Sequence, residues 1–492
     1  MTGSIPRDRG VRSLARRVRV FLLSGAVIGF ASLLWFLIRS GPRPSRAAYP
    51  CQRMAAANAT AWLGAAVLPL VTVRVKALFV MIEKNWRKAL FVTAILGGAV
   101  IVAASAKTLP WSTAFSRTHS VDIVLRDHAA GPAGFSDIVA VNGTTGADDG
   151  VARLIRAMGD GFYKRAPGSP GVVGTDDLVL IKVNAQWDKR GGTNTDLVRS
   201  LILEIIEHPD GFTGEIVIAD NGQAQFGSRG RGGSMDWRSN NAIDQGQSMT
   251  DVARELSDLV PVSTYLWDEI TLESVSEFSD GDDRDGYVVA DSPSAATGII
   301  VSYPKFTTSF GTRVSFKHGV WDGAARSYDS DRLTVINVPV LKSHMIYGVT
   351  ASVKHYMGVV SDKLTGHNAH RSVGSGGMGT QMALTRVPDL NIIDAIWINA
   401  RPGNGPSTNY SVAAEAGIIA ASRDPVALDL WAARNILLPA AAALGFDRTS
   451  SMDPANRENG SFAAWMELSA RELNRAGYAV TTDTSQVNVR VD

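Results

Sequence analysis

The chain has 492 residues, 49 Lys and Arg against 47 Asp and Glu, a formal net charge of +2 and a single cysteine, Cys51. One cysteine excludes an intrachain disulfide and any cysteine-built zinc or iron–sulfur centre within this chain. No basic stripe interleaved with aromatics is present, which argues against nucleic acid as a partner.

The small excess of positive charge belongs to a basic tail, residues 1–19, where Arg7, Arg9, Arg12, Arg16, Arg17 and Arg19 face only Asp8. The pattern then predicts a transmembrane region over 20–107 with two to three helices. Val20–Ile38 is uncharged over 19 residues, about the length an α-helix needs to cross the hydrocarbon core. Met54–Val73 is uncharged but broken by Pro69, and Ala89–Ala106 is uncharged and preceded by Lys84, Arg87 and Lys88. Keeping both basic clusters in the cytoplasm requires three crossings. The expectation is an integral protein of the cytoplasmic membrane with its large domain on the outer, periplasmic or extracellular face; two crossings would reverse the side. Arg16-Arg17 before an apolar run also resembles a twin-arginine export signal, but the run has no convincing cleavage site.

From 108 to 492 the pattern is a soluble α/β alternation. Val121–Leu125 reads as a short strand, Gly150–Met158 as a helix and Leu178–Val183 as a buried strand. Gly191–Thr195 supplies an N-cap for a helix over Asp196–His208. Glu215–Ala219 is a strand ending in Asp220-Asn221-Gly222. A loop-rich insertion is expected over about 223–297; it holds a loop at Phe226–Asn241, a helix at Met249–Leu259 and an acidic run, Ser276–Asp285, that reads as a solvated excursion. Strands resume at Gly298–Val301 and Leu333–Val340. Lys342-Ser343-His344 then passes straight into a helix-like segment carrying Lys354 and His355, with Lys354 one turn beyond Thr350 on the same helix face. His367–Gly379 reads as a glycine-rich loop, Leu390–Trp397 and Gly417–Ala421 as strands, and a closing helix starts at Pro425. This order predicts an α/β fold, a mostly parallel sheet with helices on both faces, preceded by the transmembrane region.

Parallel strands deliver their C-terminal ends to one edge, where ligands of open α/β sheets bind. Lys182 and Asn184, then Asp220, then Lys342 and His344 stand at such ends, and Asp394 and Asp424 lie in or after later strands. The first turn of the helix after His344 would also offer free N–H groups to an anion. Lys182, flanked by buried apolar residues, must find a partner or lose its charge. Blander readings stand beside these: Asp424 before Pro425 is a good N-cap, Asp429 favours the helix dipole, Asp220-Asn221-Gly222 is turn chemistry, and Lys354 can pair with Asp362 or stay in solvent. His344, His355, His367 and His370 are half of the eight histidines, yet their spacing matches no strong zinc pattern.

Taken together, the segments LIKVNAQ, GGTNTDLVRSLI, IVIADNG, INVPVLKSHMIYGVTASVKHYMGVV, IIDAIW and ASRDPVALDLWAARNIL resemble the domain-of-unknown-function 362 (DUF362) family over Val121–Leu438. Ser45–Arg53 is similar to the N-terminal segment of membrane-anchored members. The resemblance marks Lys182, Asn184, Thr195, Asp220, Pro339, Lys342, His344, Thr350, Lys354, Gly358, Asp394, Asp424 and Asp429 as motif positions. It implies no firmly assigned reaction. Many relatives carry ferredoxin modules, from which this chain departs because one cysteine cannot supply four cluster ligands. The expected function is binding of, and action on, a small anionic carboxylate or phosphate. Lys182 and Lys342 would hold the anion with Lys354 a third cation, and His344 would be general acid or base. Asp220 and Asp424 would orient the cations or hold a divalent metal, and Asn184, Thr195, Thr350, Asp394 and Asp429 would line the ligand. The alternatives are a non-catalytic scaffold of a membrane complex and a redox partner of a separate iron–sulfur protein.

Overall fold

The structure is a computed structural model that describes residues 119–130, 135–166, 168–223 and 232–492. The basic tail, all three candidate membrane segments, Cys51 and residues 226–231 of the Arg- and Gly-rich loop lie outside the described residues.

In chain order the first elements are β1 (His119–Ser120), β2 (Ser136–Asn142), α1 (Gly150–Met158), β3 (Leu178–Lys182), α2 (Thr195–Ile206), β4 (Glu215–Asp220), α3 (Met249–Leu256) and β5 (Val262–Leu266). Five short strands follow: β6 (Gly286–Val289), β7 (Ser302–Thr307), β8 (Arg313–Ser315), β9 (Gly319–Asp322) and β10 (Ser327–Asp329). The chain then returns with β11 (Leu333–Asn337), β12 (Val340–His344), β13 (Gly348–Thr350), α4 (Ser352–His355), α5 (Asn368–Ser372) and α6 (Gly377–Leu384). It closes with β14 (Leu390–Asn399), β15 (Ala414–Ser422), α7 (Pro425–Ala443), α8 (Phe462–Arg475) and β16 (Val487–Val491).

The main sheet has 11 strands, eight of them on the path β16-β2-β15-β14-β11-β3-β4-β5, with β12 beside β14, β13 beside β12 and β1 beside β15. β14, β11, β3, β4 and β5 run parallel, as do β12 with β14 and β16 with β2. The sheet is therefore mostly parallel; β15 runs antiparallel to both β14 and β2, and β13 antiparallel to β12. Side chains alternate between the two faces with period two: Leu178 and Leu180 of β3 join one core cluster, Val179 and Ile181 the other. Leu154, Leu201 and Val252 from α1, α2 and α3 cover the second face, whereas Val353, Met378, Leu428 and Trp465 from α4, α6, α7 and α8 cover the first. Helices on both faces explain why β3, β4 and β11 are buried at every position rather than alternately.

Several expected elements differ. Val121–Leu125 is not a strand, although Val121 N–H continues the β1 pairing by donating to Glu415 O at 2.9 Å. The strand expected at 298–301 begins instead at Ser302. The 223–297 stretch contains α3, β5 of the main sheet and β6 of a second, antiparallel sheet, β10-β9-β8-β7-β6. The acidic run is anchored rather than solvated: Glu277 is buried and accepts from Tyr303 Oη, Ser315 Oγ and Tyr328 Oη. His367–Gly379 is mostly helical, because Gly379 lets α6 approach the Ser469 backbone of α8 so closely that a Cβ would overlap it.

Among the described residues one helix, α7, is long and apolar enough to cross a membrane, but 67% of its most apolar window is buried. Its composition suits a core helix of this domain. Asp424 is its N-cap, accepting from Val426 and Ala427 N–H at 2.9 Å, with Pro425 in the first turn.

Candidate functional site

The parallel strands place Lys182, Asp220, Asn337 and Lys342 at one edge of the sheet. Lys182 lies beside Asn337 and Ala219 in register. Its side chain is fully buried, and Nζ forms an ion pair with Asp220 Oδ1 at 2.8 Å while donating to Val183 O at 3.1 Å. The other Asp220 oxygen accepts from Ala185 N–H at 2.7 Å. Burial lowers the Lys182 pKa and Asp220 opposes that shift. Lys182 is thus a cation already matched by a carboxylate.

Lys342 reaches the same edge because the chain breaks at Val338-Pro339. Val338 N–H donates to Lys182 O, Asp394 N–H donates to Pro339 O, and the strand resumes as β12 along β14. Proline, with no N–H, suits the interruption. Lys342 is fully buried and its Nζ donates to Gly191 O at 2.5 Å. No carboxylate lies within ion-pair contact of it among the described residues. Its pKa is pushed down to about 7, by burial first and then by Lys354, with Asp220 and Asp394 opposing and Lys182 adding to the shift.

His344 does not lead straight into a helix. The chain turns back as β13, antiparallel to β12, so that Thr350 lies directly opposite Lys342 and Gly348 opposite His344. Thr350 is therefore a strand residue on the face of Lys342, not a helix neighbour of Lys354, and its buried Oγ1 has no hydrogen-bond partner. The turn takes this form because His344 Nδ1 accepts from Ile346 and Tyr347 N–H at 3.1 and 3.2 Å, and because Gly348 supplies a positive φ against the Ser451 carbonyl. With Nδ1 accepting, the neutral ring carries its proton on Nε2. Burial, Lys354, His370 and Lys342 hold the His344 pKa well below its usual value.

Helix α4 has four residues, and its first two N–H groups are not free. Ser352 N–H donates to Asp429 Oδ1 at 2.7 Å and Val353 N–H to Asp429 Oδ2 at 2.9 Å. The expected anion site at this N-terminus is occupied by Asp429 of α7, whose pKa burial raises to about 7. What α4 contributes instead is Lys354 and His355. Lys354 is 6% exposed, its side chain has no hydrogen bond or ion pair among the described residues, and its Nζ lies 5.4 Å from the Tyr347 ring. Burial lowers its pKa to about 8, opposed by Asp362. His355 Nδ1 sits 2.7 Å from Asn337 Oδ1. Asn337 Nδ2 donates to Ser352 O and Asn391 Oδ1, which puts the His355 proton on Nδ1 and leaves Nε2 an acceptor without a donor. Burial, with Lys182 and Lys342 next, holds the His355 pKa well below its usual value.

The other expected ligand residues serve the frame. Asp394 accepts from Asn194 N–H at 2.8 Å, Asn241 Nδ2 at 3.3 Å and Ile396 N–H at 3.2 Å. It fixes Asn194, the N-cap of α2, and burial raises its pKa to about 6. Thr195 Oγ1 is bonded to Gln247. Asn184 stands at the edge with a buried, unpartnered Oδ1. Asp424 is absent from the cluster: β15 is antiparallel, so its end, Ser422, lies beside Asn391 at the start of β14. There Asp424 accepts from Ser136 Oγ and Thr481 N–H at 2.6 and 2.8 Å. Asp220 and Asp424 therefore cannot share a divalent ion. Among the described residues no group of three or more His, Cys, Asp and Glu side chains is placed to hold a metal.

A second polar device emerges beside Lys354. Asp362 is buried and its Oδ2 lies 2.7 Å from Nδ1 of both His367 and His370. Those hydrogen bonds hold the Asp362 pKa low against the upward pull of burial. The sequence offered the crowding of histidines as a signal, but not the carboxylate that joins two of them.

The molecule is an α/β protein whose parallel sheet ends in a buried, cation-rich edge. Residues 322–434 match the family described as Domain of unknown function (DUF362). The span includes Lys342, His344, Thr350, Lys354, Asp394, Asp424 and Asp429; Lys182, Asn184, Thr195 and Asp220 precede it. The chain is 35% identical over 131 aligned positions to the thylakoid-associated protein sll1697 of Synechocystis sp., covering 24% of this chain and 39% of that protein. No solved structure matches.

Proposed function

We propose that this edge binds a small anion, a carboxylate or a phosphate, and acts on it. The observation that carries the reading is the pair Lys342 and Lys354: two ammonium groups taken almost wholly out of water with no carboxylate in contact. An unpaired buried charge costs several kcal/mol, and an anionic ligand is the partner that would remove the cost. Asn184, His344, Thr350 and Lys354 keep 7%, 6%, 5% and 6% exposure while Lys182 and Lys342 have none, so the ligand enters past His344 and Lys354 and meets Lys342 at the base. His344 offers an Nε2–H donor rather than a base at neutral pH. His370, whose Nδ1 is held by Asp362 and which lies near His344, takes the role of proton acceptor in this reading.

Membrane anchoring through the N-terminal segments, with the domain on the outer face, belongs to the same proposal. It is supported by the uncharged runs of the sequence and by the name of the Synechocystis relative. The test is native mass spectrometry of the full chain, prepared in detergent without dialysis. An anionic small molecule retained by the wild type and lost from Lys342→Met is expected; a chain that arrives empty and gains no stability from any added anion would count against the reading.

A further inference from the structure

The anion reading leaves two ligand chemistries open, and the donor set separates them. Three ammonium groups converge here and one of them, Lys182, is in contact with a carboxylate. The two remaining acids nearby are committed elsewhere: Asp394 to Asn194, Asn241 and Ile396, and Asp362 to His367 and His370. Lys342 and Lys354 are left as two cations to be matched.

Their placement matters as much as their number. Lys342 rises from β12 and Lys354 from α4 beyond the hairpin, so the two heads come from different elements instead of presenting one flat fork. Two neutral donors stand on the same face of the β12–β13 hairpin as Lys342: His344, two residues on with an Nε2–H, and Thr350, opposite Lys342 in register with an unpartnered Oγ1. A carboxylate is planar with two oxygens and one charge, and is matched by a bidentate arginine. Compact point charges from separate directions suit a tetrahedral group with several oxygens, which lysine recognises as a charge and not as a fork. The arginine in the adjacent loop, Arg190, is turned away: it stacks on Trp397 at 3.9 Å and bonds Asn241.

Building on the anion reading, we infer that the ligand is a tetrahedral oxyanion bearing two negative charges, of the phosphate class, held by Lys342, Lys354, His344 and Thr350. The test is titration calorimetry of the full chain in detergent at about pH 7, with inorganic phosphate, sulfate and acetate as probes. Phosphate and sulfate should bind at least about tenfold more tightly than acetate, and Lys354→Met should weaken both by about tenfold or more while Lys354→Arg restores part of the loss. The ligand-free thermal midpoint of each variant shows that it is folded. Acetate binding as tightly as phosphate and sulfate would overturn the inference and leave the anion reading standing. Failure of all three probes to bind folded wild-type chain would overturn both.

Discussion

Gly358 lies directly against Asp220: a Cβ built on Gly358 would overlap both Asp220 Oδ1 and Lys182 Nζ. Its carbonyl also accepts from Asn221 N–H at 3.1 Å, so the backbone cannot withdraw without breaking the end of β4. The glycine is required by close approach to a buried ion pair, at a φ that any residue could adopt. Gly358→Ala should destabilise the domain by about 1–3 kcal/mol, the usual cost of forcing a methyl into a packed site. Urea unfolding of wild type and variant measures it.

Asp220→Asn removes the charge that matches Lys182 and leaves a buried ammonium unpaired. A loss of about 3–5 kcal/mol is expected, whereas replacing both partners by apolar residues should recover most of it. A double-mutant cycle by chemical denaturation decides between this and a pair that contributes little.

Lys342→Met has the opposite sign. The lysine has no carboxylate in contact, so an apolar side chain of similar length should leave stability unchanged or raise it, and anion binding should be lost. Stability by denaturation and affinity by calorimetry are the two readouts; retained affinity would remove Lys342 from the site.

The ligand-free domain should become more stable as pH rises from about 7 to about 10. Lys342 and Lys354 have folded pKa values pushed to about 7 and about 8 against an unfolded 10.5. Through that window the unfolded chain holds more protons than the folded one, so raising pH favours folding. Asp220, Asp394, Lys182 and Lys354 face Lys342, and Asp362 faces Lys354. A bound oxyanion favours the charged lysines, so its stabilisation should be large near pH 7 and fade above about pH 9. Thermal midpoints with and without phosphate across this range test both trends.

At His344 two substitutions separate turn from ligand. Asparagine can place an oxygen near the Nδ1 position and accept from Ile346 and Tyr347 N–H, but it cannot reproduce the Nε2 donor. His344→Asn should keep the midpoint close to wild type and weaken anion binding, while His344→Ala should also lose about 1–3 kcal/mol from two unsatisfied N–H groups. Equal affinity of His344→Asn and wild type would assign His344 to the turn alone.

The cationic edge was legible because lysines at the ends of apolar, β-branched runs are chemically conspicuous, and a strand–helix order brings such ends together. Lys182, Asp220 and Lys342 were found that way. Strand direction was not legible: GIIAAS reads the same for β15 running either way, and a parallel reading groups Asp424 with Asp220. The β12–β13 hairpin was hidden because β13 is three residues long and its turn is set by His344 and by contact with Ser451. The filling of the α4 N-terminus by Asp429, seventy-odd residues later in the chain, has no local signature at all. The α5–α6 stretch is rich in residues that favour loops, and only packing on α8 makes it helical.

Lys182, Lys342 and Lys354 come from three separate stretches of the chain and meet only when β3, β12 and α4 are docked. An incompletely assembled domain offers an anion nothing but scattered, hydrated lysines. On the proposed reading, an anion bound at this edge would report that assembly is finished, and a cell rich in that ligand would hold more of this protein in its completed form than one that lacks it.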